Sequence, residues 1–460
     1  MLFAIFLVLY ASGPVSAQEP PLPEGLKGKP VAEEPPLPAG LEKRTEAGTR
    51  IGREAEQGGL PFDLSGFLDA RGGLRTRPDP YESRFSLGET RLELDARKDW
   101  SWLTAHTVTD FLYDPVGRDY SVNLETGQGF FDLREANLSS NALKFMDVKV
   151  GRQMLTWGTG DLLFINDLFP KDYNSFFIGR DIAYLRAPSD SLKASVFSRI
   201  ANVDVVYTPR FDPDRFIDGR RISYFNPVLG RLAGRDAIIN PVIPDDWFRD
   251  YELAGRVSRN ISGYELAAYG YRGFWKEPLG IDVAARKASF PPLSVYGGSL
   301  RGPLGKGIGN VEFGYYDSRN DRSGDDPFVP NSEFRIMAGY EQEVARDLTL
   351  GFQYYVERRL QYPNYKRSLP FGFPLLDENH HILTLRLTKL LMKQNLRLSF
   401  FAYYSPSDED AYLRPNISYK ITDHWTAEIG GNVFLGERDS TFFGEFRNNS
   451  NVYGALRWSF

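Results

Sequence analysis

The sequence contains no cysteine and only four histidines among its 460 residues. Without thiols, neither a disulfide framework nor a cysteine-based metal site or nucleophile can form. His380 and His381 are neighbours and would point to opposite faces of a strand, and His106 and His424 stand apart from them. We therefore expect no catalytic residues, no metal and no cofactor, and we expect that the chain is not an enzyme.

Long apolar runs are missing after residue 17, and the mean hydropathy is -0.37. A spanning helix needs roughly 20 apolar residues, so the sequence predicts none. Residues 1–11 form an apolar run that is followed by Val15-Ser16-Ala17, which predicts a secretory signal peptide of residues 1–17. The net charge of -5 argues against a nucleic-acid partner.

Residues 18–60 are rich in proline, glycine and charged residues and contain no aromatic residue. Such a segment cannot bury enough apolar surface to offset its ordering entropy, which predicts a disordered periplasmic tail. The pattern Glu-Pro-Pro-Leu-Pro occurs twice in it, at residues 19–23 and 34–38. Two interpretations stay open, a duplicated linker and a docking motif for a periplasmic partner.

From residue 61 onward, apolar and polar residues alternate, as in Leu396-Arg397-Leu398-Ser399-Phe400. Strands of soluble proteins are usually about 5–6 residues long, whereas a strand that crosses a bilayer needs about 9–11 residues. The alternating segments 84–99, 348–360 and 379–391 reach or exceed the longer value. The 25 Tyr, 33 Phe and 7 Trp residues also suit the aromatic girdles of a membrane barrel.

Short and long links alternate along residues 61–460, as in outer-membrane barrels with tight periplasmic turns and longer outside loops. Short links are expected near residues 345–346 and 189–190, and long ones at residues 156–179 and 209–249. Counting the links predicts an all-β transmembrane antiparallel β-barrel of about 18 strands in the cell outer membrane, with about 16 strands as the alternative.

The end of the chain carries an assembly signal. Val452, Leu456, Trp458 and the final residue Phe460 share one face of the last predicted strand. This resembles the terminal strand that the barrel assembly machinery recognises. We expect that machinery and outer-membrane lipid to be partners of the chain.

Residues 150–158 read Val-Gly-Arg-Gln-Met-Leu-Thr-Trp-Gly. This segment resembles a strand-and-loop signature of porin-like outer-membrane families, which include alginate-export-type barrels. The resemblance implies eighteen strands and a polysaccharide as one candidate solute. The sequence departs from the export type because no polysaccharide-binding arginine ladder can be matched residue by residue.

Charged residues on the strands should face the lumen, because a charge that faces lipid costs roughly 2–4 kcal/mol at the midplane. Basic residues outnumber acidic ones among these positions, which favours a wet pore with a weak preference for anions; a salt-bridged wall without selectivity is the alternative. The predicted pore-lining residues are Arg75, Arg91, Arg97, Lys149, Arg199, Arg256, Arg335, Arg359, Arg386, Arg397, Glu357 and Glu428.

The long link at residues 156–179 combines apolar and acidic residues, and apolar loop residues should be buried. It is therefore a candidate constriction loop, with an ordinary outside loop as the alternative. Its candidate residues are Asp161, Phe164, Asp167 and Asp172.

The sequence thus predicts a porin-like channel for passive diffusion or export of polar or anionic solutes or polysaccharide, since about 18 strands leave an aqueous lumen. The alternative is a barrel without transport function that acts as a surface adhesin or as a sleeve for a periplasmic partner.

Overall fold

The computed structural model describes residues 61–117 and 121–460 of the chain. The expected signal peptide of residues 1–17 and the expected tail of residues 18–60 lie outside the described residues. In the part of the chain that the structure describes, no helix has the length and apolar character needed to cross a membrane. The architecture is built almost entirely from strands and the loops between them.

Eighteen strands form one antiparallel sheet, which closes because the first strand pairs with the last. The predicted fold class, an eighteen-stranded transmembrane β-barrel, is therefore confirmed. The barrel strands are β1 (Asp63–Arg75), β2 (Phe85–Asp99), β3 (Leu103–Tyr113), β4 (Phe131–Leu143), β5 (Met146–Met154), β6 (Pro188–Val196), β7 (Asn202–Thr208), β10 (Glu252–Ile261), β11 (Tyr264–Phe274), β14 (Pro292–Leu304), β15 (Gly307–Ser318), β16 (Glu333–Ala345), β17 (Leu348–Arg359), β18 (Asn379–Leu391), β19 (Leu396–Ser405), β20 (Asp410–Lys420), β21 (Trp425–Leu435) and β22 (Asn451–Ser459).

The long loops contain the remaining elements. Two are short hairpins, β8 (Tyr224–Asn226) with β9 (Arg231–Ala233), and β12 (Gly280–Asp282) with β13 (Lys287–Ser289). The helical elements are α1 (Tyr173–Ile178), α2 (Tyr362–Ser368) and two 3-10 turns at Ile182–Leu185 and Gly444–Asn449.

The barrel strands turn their apolar side outward. In β1, Leu68 and Leu74 are 43% and 40% exposed, whereas Asp69 and Arg71 on the opposite face are 3% and 5% exposed. Successive side chains of a strand point to opposite faces, so one face of the wall is apolar and the other is polar. An exposed apolar face of this extent can be covered only by lipid.

Exposed aromatic side chains form a girdle at each end of the barrel. Such girdles lie at the two interfaces of a bilayer, and together with the apolar band between them they place the barrel in the outer membrane. Examples at the short-turn end are Trp100, Trp102, Tyr264, Trp425 and Trp458, and examples at the long-loop end are Phe85, Tyr113, Tyr296, Tyr354 and Tyr404.

The predicted position of one short turn is wrong. The sequence predicted a short link near residues 189–190, but both residues lie inside β6, and the turn comes later at residues 197–201. The polar pair Ser189-Asp190 is typical of turns, yet the Asp190 carboxylate here accepts two 2.8 Å hydrogen bonds from Arg152 on β5. Arg199 consequently lies exposed in the turn and not in the pore wall, which corrects its assignment.

The barrel seam is completed by the last residue of the chain. The backbone N–H of Gly66 donates to the Phe460 carbonyl at 3.1 Å, and the N–H of Phe460 donates to the Gly66 carbonyl at 3.0 Å. The Phe460 ring packs beside Trp458, with ring centroids 5.1 Å apart. A Cβ at Gly66 would stand 2.2 Å from the Glu93 carbonyl oxygen, so glycine permits this close approach.

Replacing Phe460 with Asp should reduce the amount of assembled barrel strongly, because it removes the ring beside Trp458 and places a charge at the lipid interface. Heat-modifiable migration on gels and recovery in outer membranes measure this effect. Phe371→Asp is the matched control, since Phe371 is fully exposed in an outer loop. Normal recovery of the Phe460 variant would contradict the role of this residue in assembly.

Candidate functional site

The segment between β5 and β6, residues 155–187, lies inside the barrel. The Asn166 backbone N–H donates to Glu312 on β15 at 2.9 Å, and the Tyr184 hydroxyl donates to Glu93 on β2 at 3.0 Å. Strands β2 and β15 stand nine strands apart in the eighteen-stranded ring. A segment that contacts both must cross the lumen; we name residues 155–187 the inserted segment.

Helix α1 gives the inserted segment its apolar anchor. Its first turn is capped by Asp172, whose carboxylate accepts the Ser175 N–H at 2.7 Å, and it ends at Gly179 with φ of 99°. Phe177 packs edge-on against Phe434 of the wall, with ring centroids 5.2 Å apart. This aromatic contact attaches the helix to the wall near β21.

Glu312 of β15 holds the other end of the inserted segment. Its carboxylate is buried, at 1% exposure, and accepts four hydrogen bonds from two residues of the segment. The backbone N–H and the hydroxyl of Thr159 donate at 2.6 and 2.9 Å, and the backbone and side-chain N–H groups of Asn166 donate at 2.9 and 3.0 Å. These neutral donors satisfy the buried charge without a cation.

The four candidate constriction residues all belong to the inserted segment. Asp161 forms an ion pair with Arg386 of β18, in which the Nη2 to Oδ1 distance is 2.7 Å. Asp167 lies 3.0 Å from the Lys171 ammonium, which also sits 4.7 Å from the centre of the Phe164 ring. Asp172 caps α1. Within this set only Asp161 contacts a predicted pore-lining residue; the constriction itself stays a prediction.

All the predicted pore-lining residues except Arg199 lie on barrel strands. Their positions alternate with the lipid-facing residues, so their side chains face the lumen. Arg75, Arg91 and Arg386 are buried beneath loops, at 6%, 2% and 8% exposure. The side chains of Lys149 and Arg97 are more open, at 32% and 37% exposure. Their part in a conducting path stays a prediction.

Sequence reasoning missed several acidic residues that pair with these bases. Arg91 pairs with Asp110, and Arg335 pairs with Glu333 at 2.7 Å. Lys149 lies 3.3 Å from Glu135. Asp110 and Glu333 occupy inward positions that the period-two pattern could have identified, whereas Glu135 follows an irregularity in the pairing of β3 with β4, where the alternation changes phase. In the folded wall, these acids offset the excess of basic residues that was counted from the sequence.

A second long loop, residues 209–251, covers part of the barrel mouth; we name it the outer lid. Arg215 of the lid donates two 2.8 Å hydrogen bonds to Asp132 on β4 and stands 3.5 Å from Asp172 of the inserted segment. One guanidinium thus connects the lid, the inserted segment and the wall. The balance of Asp and Arg residues in residues 209–249 suits an ion-paired lid, with an ordinary outside loop as the alternative, but the sequence did not identify Asp132 as the partner.

Asp212 and Asp214 are two buried acids near the start of the outer lid, where the chain leaves β7. The Asp212 carboxylate accepts hydrogen bonds from Ser189 and from the Asp190 N–H, both at 2.9 Å. Burial and the negative charge of Glu252 raise the pKa of Asp212 to about 7. Burial likewise raises the pKa of Asp214 to about 6. Across residues 61–117 and 121–460, no group of three or more acidic or histidine side chains could hold a metal ion.

The chain resembles solved outer-membrane barrels. It matches Acinetobacter baumannii OccAB4 with a TM-score of 0.54 and 10% identity, covering 87% of this chain and 98% of that one. For Acinetobacter baumannii OccAB3 the TM-score is 0.51 and the identity 9%, covering 86% and 99%. No family model and no curated protein matches the chain. At these identities the similarity establishes the fold alone.

Replacing Glu312 with Ala should release the inserted segment, because four hydrogen bonds at about 1 kcal/mol each are lost. We expect a loss of stability on the order of 4 kcal/mol and faster hydrogen exchange at Thr159 and Asn166. Glu343→Ala is the control, since this exposed residue on β16 contacts only the adjacent turn. Unchanged exchange in the Glu312 variant would show that the segment is held elsewhere.

The outer lid should loosen as the pH rises. Asp212 has a raised pKa in the folded protein, so its stabilising contribution is complete below about pH 4, the pKa of an unperturbed carboxyl, and is lost as the pH rises through about 7. Hydrogen exchange of residues 209–251, corrected for intrinsic rates, should increase between pH 5 and pH 8 in this window. Asp212→Asn should weaken this dependence and leave the part that Asp214 contributes, and Asp246→Asn, an exposed change in the same loop, should not alter it.

Proposed function

We propose that the chain is a porin-like channel of the outer membrane through which small polar solutes diffuse. The observation that carries the proposal is the content of the lumen. The described residues place one inserted segment and one lid there, and they form no folded plug domain. Eighteen strands enclose more space than side chains alone fill. Partly exposed charges such as Lys149 and Arg256, whose side chains are 32% and 21% exposed, support a wet interior below the inserted segment.

The charge pattern of the wall supports only weak charge selectivity. Many of its bases are engaged by carboxylates, as Arg386 is by Asp161 and Arg71 is by Glu428 at 2.9 Å. An ion pair presents little net field to a passing solute, so a preference for anions has no support in the wall. Export of polysaccharide would need bases that are free to bind it, and we therefore favour passive diffusion.

The remaining parts of the proposal follow from the barrel. Lipid contacts the outer band, and the assembly machinery would recognise Trp458 and Phe460 at the terminal strand. We retain the proposals that residues 1–17 are a signal peptide and that residues 18–60 are a periplasmic tail that could contact a partner. In this proposal the chain is a channel and not an enzyme, and it uses no cofactor.

The purified full chain should conduct ions when it is reconstituted in planar bilayers, with a reversal potential near zero in a gradient of potassium chloride. Arg386→Ala should increase the single-channel conductance, because the inserted segment loses its ion pair through Asp161. Arg346→Ala is the matched control: it removes the same charge from an exposed position in the short turn between β16 and β17 and should leave the size of the conductance nearly unchanged.

A barrel that is folded by the heat-modifiability test but conducts no ions would refute the channel. That outcome would instead support a barrel without transport function that acts as a surface adhesin or as a sleeve for a periplasmic partner. Equal effects of the Arg386 and Arg346 variants would show that the inserted segment does not limit the current.

A further inference from the structure

A large cavity lies on the long-loop side of the inserted segment. Its volume is about 1120 Å³, and its walls come from the inserted segment, the outer lid and the loops after β11, β15 and β17. Its rim contains exposed side chains such as Leu279, Lys287 and Leu376. We name this cavity the outer vestibule. Small-molecule sites usually measure roughly 300–1,000 Å³, so a small organic solute would fit together with water.

The lining of the outer vestibule is rich in aromatic side chains. Several of them are only half-buried, so part of each ring faces the cavity. These are Phe164, Tyr173, Phe225, Phe328, Tyr365 and Phe373. Aromatic faces attract both apolar groups and cations, because the π face of each ring carries partial negative charge.

The deep cations of the outer vestibule already have carboxylate partners. Arg335 lies 2.7 Å from Glu333 and 3.2 Å from Glu357. The ammonium of Lys276 pairs with Glu252 and also donates to the Asp212 carbonyl at 2.8 Å. These cations are not free to bind an anionic solute, so anions meet only the exposed bases of the rim.

One carboxylate of the lining differs from the others. Among the described residues, no donor hydrogen-bonds the Glu277 side chain and no cation forms a close ion pair with it. Burial and the negative charge of Asp214 raise the pKa of Glu277 to about 7, against an opposing effect of Arg335. The charge of Glu277 in turn contributes to raising the pKa of Glu445. Glu277 is therefore a lining carboxylate that is open to a cationic solute.

We propose that the outer vestibule binds organic cations, namely amines that carry an aromatic or alicyclic group, with the Glu277 carboxylate as their counter-ion. The ammonium would pair with Glu277 next to the ring of Tyr173, and the apolar group would contact the half-buried aromatic lining. This inference deepens the proposed function by naming a solute class, and its role in transport rests on that function.

Binding is tested with the refolded full chain in detergent micelles at pH 8, where Glu277 is ionised. Benzylamine, which is protonated at this pH, is titrated calorimetrically and compared with benzyl alcohol and with phenylacetate, which carry the same ring. We expect the cation to bind at least about tenfold more tightly than either, because its N–H groups can donate charge-assisted hydrogen bonds to the Glu277 carboxylate. Glu277→Gln should remove that difference.

Glu437→Gln is the matched control, since it makes the same change at an exposed residue of an outer loop outside the vestibule. It should bind the cation as the wild type does. Equal affinity of the cation for wild type and Glu277→Gln, or phenylacetate binding as tightly as the cation, would overturn the inference. Because the assay measures binding without current, a barrel that conducts but fails it refutes only this site, and a barrel that binds but does not conduct refutes only the channel.

Discussion

Backbone groups inside a bilayer have no water to bond with, so a sheet that crosses it must pair every strand on both sides. In this chain the pairing of β1 with β22 meets that requirement, and the bonds between Gly66 and Phe460 complete it. The lumen exists only because the sheet closes. The apolar outer band, the polar inner wall and the space for the inserted segment all depend on this one seam.

Charges inside the lumen are stabilised by partners that come from different parts of the chain. Burying a charge is costly unless hydrogen bonds or an opposite charge compensate for it. Glu312 is compensated by four neutral donors of the inserted segment, and Asp132 is compensated by Arg215 of the outer lid. The carboxylates of the wall thus fix the positions of the inserted segment and the outer lid, and donors from these two loops compensate for the buried charges of the wall.

The lumen has two chemically different halves on either side of the inserted segment. Toward the short turns, charged side chains such as Lys149 and Arg256 are partly exposed and stand beside acids. Toward the long loops, the outer vestibule combines aromatic side chains with the carboxylate of Glu277, to which no described residue donates a hydrogen bond. Solute selection would therefore take place in the outer half, whereas the inner half would act as a hydrated passage.

From the sequence alone it was possible to predict long strands with one apolar and one polar face, about 18 of them with about 16 as the alternative. These features follow from a period of two and from the length of a bilayer crossing, which are local properties. Only the folded barrel showed that residues 155–187 cross the lumen and that residues 209–251 cover part of its mouth. It also showed that Ser189 and Asp190 belong to a strand and that Arg199 does not reach the lumen. Those outcomes depend on contacts such as that of Asp161 with Arg386, whose partners lie far apart in sequence and meet only after the barrel has closed.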